Sequence, residues 1–261
     1  MHRFALALQF LTILPWPQGV RHQPEDAGGS MAFYPMIGAL LASLLAGCSL
    51  LGSEVFPDGV LRPALILLLI LLTGGLHLDG LADVCDGFYA GATKTEVLRI
   101  MKDPHLGTMA VLGVVGGLLG KMLLLSHLPS SMLYSALLVF PVLSRGGMVW
   151  GTWMGPYARA EGGTGEIFFR TLRGHHVWFA TAFLCGWVVL FAGWPGVALL
   201  ALVAAGTEGF VRYSRGRIGG MTGDTLGALN ELLEILTLAA YYPLGRWHMT
   251  PAPLLSTRLL W

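Results

Sequence analysis

The stretch "ALILLLILLTGGLHLDGLADVCDGFYAG", Ala64–Gly91, joins a long apolar run to a segment that carries three aspartates. The apolar run predicts a membrane-spanning helix, and Asp79, Asp83 and Asp86 follow where that helix should end. The acids are separated by four and three residues, so on a helix all three lie on one face. Ionised carboxylates this close repel one another strongly in a low-dielectric setting, so the face needs a compensating cation.

A divalent metal is the cation that this stretch favours. Arg62 is the only Lys or Arg between positions 61 and 91, and it lies at the far end of the apolar run. Carboxylate oxygens suit Mg²⁺, which keeps several waters and usually shares its coordination sphere with substrate phosphates. We therefore expect Asp79, Asp83 and Asp86 to hold Mg²⁺. His77 is a candidate base, metal ligand or supporting group.

The composition of the whole chain excludes an ordinary soluble domain. The 261 residues are 54% hydrophobic and only 12% charged, whereas soluble domains carry about 25% charged residues. The net charge of +1 gives no sign of a nucleic-acid partner. We predict an all-α, polytopic helical bundle of about six to seven transmembrane helices, forming one integral-membrane catalytic domain over residues 1–261.

The apolar runs give the positions of these helices. They lie near 32–52, 60–76, 109–126, 131–144, 177–193 and 229–243, with a shorter candidate span at 196–206. The N-terminal run "FALALQFLTIL" is too short to cross about 30 Å of hydrocarbon and lacks a small-residue cleavage site, so we expect a short interfacial or re-entrant helix. An alternative for 177–206 is one long kinked helix, which would move the segment 207–228 to the other side of the membrane.

The basic residues predict the orientation of the chain. The N-terminus and the polar segments 15–31, 77–108, 145–176 and 207–228 contain Arg3, Arg21, Lys94, Arg99, Lys102, Arg145, Arg159, Arg170, Arg173, Arg212, Arg215 and Arg217. Only Arg62, Arg246 and Arg258 fall on the opposite side, and Lys121 lies within a span. The positive-inside rule then places the polar segments, with their chemically rich residues, in the cytoplasm.

Two later segments add groups that suit phosphate and metal binding. Lys102 could meet a substrate phosphate, and Asp103 could add a metal ligand. Further on, three arginines precede a glycine pair, and "TGD" opens a helix whose free N–H groups make an anion site. The residues of this second segment are Arg212, Arg215, Arg217, Gly219, Gly220, Thr222, Gly223 and Asp224. The acids Glu231 and Glu234 inside an apolar helix also indicate function.

Together these parts predict metal-assisted phosphoryl transfer at the cytoplasmic face. No nucleophile motif such as Gly-x-Ser-x-Gly is present, so direct attack by a substrate hydroxyl is favoured. One alternative is a membrane CDP-alcohol-type phosphotransferase, although the Asp-Gly-x-x-Ala-Arg part of that signature is missing. Another is an ion-coupled transporter, although two related halves with broken helices are not visible.

Four blocks of sequence resemble the cobalamin synthase family, the adenosylcobinamide-GDP ribazoletransferases. They are "FLTILPWP", "HLDGLADVCDGFYAG", "IMKDPHLGTMAVLG" and "GGMTGDTLGALNELLE", in the order of the family and over nearly the whole chain. The resemblance implies a multi-pass, Mg²⁺-dependent enzyme of the bacterial inner membrane. It implies transfer from adenosylcobinamide-GDP to α-ribazole, or to its 5′-phosphate, with release of GMP. A homo-oligomer or an association with other cobalamin-assembly enzymes stays open.

The same resemblance implies roles for individual residues. Asp79, Asp83 and Asp86 match the metal-binding acids of the family, and we expect Asp103 and Glu231 to join them. We expect His77, Asp83, Lys102 and Asp224 to act in catalysis. Lys102, Asp103 and His105 match the third block, and Thr222, Asp224, Asn230 and Glu231 match the fourth. Nucleotide binding is expected at Arg215, Arg217, Gly219, Gly220 and Thr222.

Overall fold

The computed structural model describes residues 2–15 and 23–245, and within these ranges the chain is almost entirely helical, without a strand. The helices are α1 (His2–Leu11), α2 (Asp26–Ser30), α3 (Tyr34–Gly52), α4 (Asp58–Leu72), α5 (Leu76–Ala90), α6 (Lys94–Ile100), α7 (Thr108–Ser126), α8 (Ser130–Met154), α9 (Glu166–Thr171), α10 (Gly174–Ala192), α11 (Pro195–Ile218) and α12 (Gly223–Gly245), with a 3₁₀ turn at Met31–Phe33. Arg21, Arg246 and Arg258, which entered the orientation argument, lie outside the described residues.

The predicted all-α membrane bundle is confirmed. Five helices of the described chain are long and apolar enough to cross a membrane, or six if α4 and α5 count as one bent span. Helix α8 lies at the centre, because most of its residues are buried and it packs against α3, α10, α11 and α12. The short helix α1 buries Ala5, Ala7, Leu8 and Leu11 against its neighbours, and its ten residues are too few for a crossing.

Residues 174–218 form two helices, so the alternative of one long kinked helix is wrong. Helix α10 ends at Ala192, and Gly193 follows with a φ of 63°, a left-handed conformation that glycine adopts without strain. Helix α11 then begins at Pro195, a residue that suits the first turn of a helix. The two helices pack side by side across this short connection, as antiparallel neighbours do. The turn before α12 lies with the other polar loops, because Met221 is hydrogen-bonded to Pro156 and Ala158.

Two of the predicted polar segments start later than the sequence indicates. Helix α8 continues ten residues beyond the predicted boundary, to Met154, and α11 continues to Ile218, so only 219–222 separates α11 from α12. Charged side chains ended the predicted spans, but the structure gives these side chains partners. Arg145 is buried inside α8 and pairs with Glu234, and Arg212 pairs with Glu208 one turn earlier.

A sharp bend between α4 and α5 sets the position of the aspartates. The two helices meet at 89° at Gly74 and Gly75, whose φ values are 63° and 72°. Helix α5 then crosses α12 at very close range, because a Cβ on Gly80 would lie 2.5 Å from the backbone oxygen of Asp224. Only glycine permits this approach, and it brings the acids of α5 beside the first turn of α12.

Candidate active site

Acidic residues of α5 and α12 form one cluster at the crossing of these helices. Asp83 has Asp224, Asp79 and Asp86 as its acidic electrostatic neighbours. Asp224 in turn interacts with Asp79, and its side chain is only 30% exposed. We call Asp79, Asp83, Asp86 and Asp224 the aspartate cluster. The sequence predicts that the three aspartates of α5 share a face, and the fold adds the fourth from a helix more than 130 residues later.

Arg159 supplies the cation that the sequence analysis does not find for this cluster. Its guanidinium lies 2.7 Å from Asp224 Oδ2 and also interacts with Asp83, and its side chain is only 11% exposed. Two backbone hydrogen bonds fix its loop: Ala158 N donates to Met221 O, and Met221 N donates to Pro156 O, both at 2.8 Å. The loop after α8 is thereby joined to the turn before α12, which places Arg159 against Asp224.

The charges in this cluster do not balance. Among the described residues, Arg159 pairs with Asp224 and interacts with Asp83, whereas the cluster holds four carboxylates. Negative charge therefore remains in excess, and oxygen donors of this kind suit Mg²⁺. Within residues 2–15 and 23–245, no three His, Cys, Asp or Glu side chains converge as a ready metal site. The arrangement therefore fits an ion held by one or two carboxylates and completed by waters and phosphate oxygens, which is the usual way that proteins bind Mg²⁺.

Asp86 has a second task at the edge of the cluster. Its carboxylate accepts hydrogen bonds from the backbone N–H groups of Gly107, at 2.5 Å, and Ala110, at 2.8 Å. These groups lie at the start of α7, where N–H groups lack partners within the helix and a negative charge is stabilising. Asp86 therefore fixes α7 against α5 and has less freedom to bind a metal than Asp79 or Asp83.

Glu231 and Glu234 lie in a separate buried ion cluster. Lys121 Nζ is 2.7 Å from a carboxylate oxygen of each glutamate, and Arg145 also pairs with Glu234. All four side chains are buried. The role of Glu231 as a metal ligand stays a prediction, and in this structure its carboxylate neutralises Lys121 inside the bundle.

His77 also faces this buried ion cluster rather than the aspartates. It is 1% exposed, and its charged neighbours are Arg145, Glu234 and Lys121. Neither ring nitrogen has a hydrogen-bond partner within the part of the chain that the structure describes. His77 and Asp79 are two positions apart, which is about 200° around a helix, so they point to nearly opposite sides. This geometry does not support His77 as the base.

Lys102 and Asp103 lie in the loop between α6 and α7, near the loop of Arg159. Lys102 Nζ is 2.9 Å from Glu161, and this hydrogen bond lowers the pKa of Glu161. Asp103 accepts a hydrogen bond from the backbone N–H of His105 and lies 2.7 Å from its ring, contacts that lower the pKa of Asp103. These contacts hold Asp103 within its own loop, and its role as a metal ligand stays a prediction.

A basic cavity of about 350 Å³ lies in this region. Lys94, Arg99 and Lys102 line it on one side, and Ala158 and Glu161 line it on the other. Arg159 lies between these last two residues in the chain, so the basic cavity adjoins the cation that contacts Asp224. An anionic group that binds Arg159 could therefore extend into this cavity and stay close to basic side chains along its whole length.

The residues predicted to bind nucleotide mainly shape the turn before α12. Gly219 ends α11 with a φ of 78°, and Gly220 leaves no room for a Cβ, which would lie 2.3 Å from Pro156 O. Thr222 accepts a hydrogen bond from Thr225 N and so caps α12. Arg217 donates hydrogen bonds to the carbonyl oxygens of Phe88 and Gly91 at the end of α5. Arg215 is exposed.

Comparison with known proteins gives the family. The sequence profile of cobalamin-5-phosphate synthase matches residues 3–242. An adenosylcobinamide-GDP ribazoletransferase of Pseudomonas syringae pv. syringae is 42% identical over 90% of this chain and 96% of its own length. Proteins of the same name from Geotalea daltonii and Acetivibrio thermocellus are 37% and 35% identical, each over 93% of this chain and over 97% and 98% of their own lengths. No solved structure matches the chain. The chain therefore belongs to the cobalamin-5-phosphate synthase family, as its four blocks of sequence indicate.

Proposed function

We propose that this protein transfers the adenosylcobinamide phosphoryl group of adenosylcobinamide-GDP to the 3′-hydroxyl of α-ribazole or α-ribazole 5′-phosphate. The products are GMP and adenosylcobalamin or its 5′-phosphate, which completes the nucleotide loop in vitamin B12 biosynthesis. The family supports this reaction, and relatives with this activity in their names cover nearly the whole chain. The observation that carries the proposal is the aspartate cluster with Arg159 at the crossing of α5 and α12.

The proposed roles follow from where the charges lie. Asp83 and Asp224 would hold Mg²⁺, which when bound supplies positive charge to the diphosphate in the transition state. Arg159 already lies 2.7 Å from Asp224 and can donate to phosphate oxygens from the same position. The basic cavity of Lys94, Arg99 and Lys102 would hold the anionic guanosine phosphate part of the donor.

The chemistry of the transfer balances without a covalent enzyme intermediate. The ribazole hydroxyl oxygen forms a bond to the phosphorus that carries cobinamide, and the bond from this phosphorus to the bridging oxygen breaks. GMP leaves with that bridging oxygen. A carboxylate of the aspartate cluster takes the hydroxyl proton, a contribution typically worth about 10²–10⁴ in rate. Asp79 is the best placed of these acids, because it is exposed and lines a cavity beside the turn between α4 and α5.

The alternatives from the sequence are not favoured. A CDP-alcohol phosphotransferase would use the same metal logic, but the family match over residues 3–242 names a different reaction. An ion-coupled transporter would have its charged groups along a path across the bilayer. Here the buried ion cluster is internally paired, and the aspartate cluster lies at the polar loops.

Release of GMP tests the proposed reaction directly. The purified protein is mixed with adenosylcobinamide-GDP and α-ribazole 5′-phosphate, and GMP and the corrinoid product are followed by chromatography. We expect GMP to form in a one-to-one ratio with product and only when both substrates are present. A parallel reaction with a CDP-alcohol in place of the cobinamide substrate should form nothing, and product from that reaction alone would contradict the proposal.

Removal of divalent metal tests the proposed cofactor. We expect exhaustive treatment with EDTA to stop GMP release and added Mg²⁺ to restore it, because the aspartate cluster then lacks the charge that holds the diphosphate. The melting temperature of the protein serves as the control for unfolding by the chelator. Full activity after chelation would remove the metal from the mechanism.

A further inference from the structure

A second, larger cavity adjoins the aspartate cluster and has no assigned occupant. Its volume is about 740 Å³, and its walls come from α1, from the turn between α4 and α5, and from the start of α7. Asp79 is the member of the aspartate cluster that lines it. We call this space the apolar cavity. Its volume is within the range of roughly 300–1,000 Å³ that is usual for small-molecule sites.

The wall of the apolar cavity is apolar apart from a few groups. Aliphatic and aromatic side chains such as Phe10, Ile13, Val111 and Val114 dominate it, and the described lining contains no Lys or Arg. Thr12 and Thr73 also line it, but their hydroxyls donate to the backbone oxygens of Leu8 and Leu69, at 2.7 Å and 3.1 Å. The carboxylate of Asp79 therefore provides the charge among the described residues of a mainly apolar wall, to which Gln9 adds an uncharged polar side chain.

We infer that the apolar cavity binds the base of the acceptor nucleoside, with the ribose at Asp79. This inference rests on the proposed function. The base of ribazole is a flat dimethylbenzimidazole without a hydrogen-bond donor, and such a group binds favourably where apolar side chains replace water. The ribose hydroxyls need a polar partner, and Asp79 offers an acceptor at the edge of the cavity that leads to the aspartate cluster. The reacting hydroxyl is thereby placed beside the carboxylate that accepts its proton.

The donor does not fit the apolar cavity, for reasons of charge. Adenosylcobinamide-GDP carries two linked phosphates, and anions of this kind need cations or N–H donors. The basic cavity supplies three cations, whereas the described lining of the apolar cavity supplies none. Arg159 follows Ala158 of the basic cavity and pairs with Asp224, and Asp224 interacts with Asp79, which lines the apolar cavity. The donor and the acceptor would therefore approach the aspartate cluster from these two cavities. This arrangement suits a direct displacement, which needs the attacking and leaving oxygens in line.

Filling the apolar cavity separates the two substrates kinetically. Val111 lines the cavity and is 49% exposed, whereas its neighbour Leu112 is 58% exposed and does not line it. We expect Val111→Trp to raise the KM for α-ribazole at least tenfold and to change the KM for adenosylcobinamide-GDP less than twofold. Leu112→Trp, which places the same indole on the adjacent face of α7, should change neither KM. α-Ribazole 5′-phosphate should respond as the nucleoside does, because the two share the base.

The other outcomes overturn the inference. An unchanged KM for both substrates would mean that the cavity is empty or holds lipid, and a larger effect on the donor would assign it to the donor. Val115→Phe, at a second lining position, is measured if Val111→Trp elutes as an aggregate. If the unmodified protein released no GMP, the proposed function would fail. Equilibrium dialysis with radiolabelled α-ribazole would then test the cavity alone, and equal binding by Val111→Trp and the unmodified protein would contradict the inference.

Discussion

Asp83 occupies a crowded electrostatic position in the aspartate cluster. It is half-buried on α5 and has three acidic neighbours and one cationic neighbour, Arg159. Carboxylates in such a position repel one another unless positive charge arrives with the substrate complex. Because binding of a cation relieves this repulsion, the cluster attracts a metal ion that carries a bound diphosphate. The activity of the protein should therefore depend on Asp83 more than its stability does.

Replacing Asp83 tests this expectation. We expect Asp83→Ala to lower kcat at least about 100-fold, the scale of losing one electrostatic group in a catalytic site, while the protein still inserts and purifies. Glu54→Ala, at an exposed acid between α3 and α4, is the matched control and should keep normal turnover. Near-normal GMP release by Asp83→Ala with saturating Mg²⁺ would remove the aspartate cluster from the mechanism.

Replacing Arg159 separates donor binding from simple charge pairing. We expect Arg159→Ala to raise the KM for adenosylcobinamide-GDP about tenfold or more, and Arg159→Lys to recover only part of this loss, because lysine cannot make a bidentate contact to phosphate. Arg212→Ala removes an exposed arginine that pairs with Glu208 and should behave normally. A lower melting temperature with an unchanged KM for the donor would instead make Arg159 a structural partner of Asp224.

Sequence reasoning at this scale finds the acids more readily than their partner. The spacing of Asp79, Asp83 and Asp86 predicts a shared face because it depends on one helix alone. Arg159 is 65 residues before Asp224 and reaches it only because the backbones of Ala158 and Met221 are bonded to each other. Periodicity carries no signal for such a contact. The excess of acids over cations in the sequence of α5 does carry a signal, because it indicates that a cation must come from another segment.

Helix α12 joins two charged centres with different tasks. Its first turn carries Asp224 to the aspartate cluster, and about two to three turns later Glu231 and Glu234 reach the buried ion cluster around Lys121. Glu234 makes more polar contacts than Glu231. It contacts Lys121, Arg145 and Asn230, whereas Glu231 contacts Lys121. The buried ion cluster therefore fixes the register of α12 against α7 and α8.

Removing one glutamate at a time tests this role. We expect Glu234→Ala to destabilise the bundle by about 3–5 kcal/mol, the usual cost of leaving buried cations unpaired, and Glu231→Ala to cost clearly less because Lys121 keeps Glu234. Thermal unfolding in detergent measures both. A Glu231→Gln protein that melts normally but needs more Mg²⁺ for activity would return Glu231 to the metal site.

The lengths of α8 and α11 show that an apolar run in the sequence can be shorter than the helix that contains it. Both helices continue past the charges that end the runs, because Arg145 finds Glu234 inside the bundle and Arg212 finds Glu208 along its own helix. A prediction from hydrophobic runs treats each charged residue as solvated, so it ends the helix at a charge that is in fact paired. The start of α12 at Gly223 is predicted correctly, since the glycines and Asp224 give a local signal there.

At the scale of the whole molecule, the polar loops gather on one face. The segments 91–107, 155–173 and 219–222 connect helices at the end of the bundle that contains the aspartate cluster, and the short connections 53–57, 127–129 and 193–194 lie at the other end. The positive-inside rule assigns the first face to the cytoplasm, where soluble nucleotide substrates are available. We propose that the protein has this orientation in the bacterial inner membrane.

Chemical labelling of single cysteines tests the orientation. Cys48, Cys85 and Cys185 are first replaced by serine, and one cysteine is then placed at the exposed Glu54 or at the exposed Thr164. In spheroplasts, a membrane-impermeant maleimide should label Glu54→Cys at once and Thr164→Cys only after lysis. The reverse pattern would place the aspartate cluster on the outer side of the membrane and contradict the proposed localisation.

The two backbone hydrogen bonds between Ala158, Met221 and Pro156 have a consequence for how the protein admits its large donor. These bonds join the loop of Arg159 to the turn of Asp224. A displacement of the loop therefore also displaces the turn, and the two charged side chains move together. If the loop of Arg159 moved independently of the turn, each opening would separate the guanidinium from the carboxylate of Asp224. Because the loop and the turn are joined, a movement that admits substrate at this end of the bundle does not have to separate Arg159 from Asp224, and it avoids the electrostatic cost of parting opposite charges.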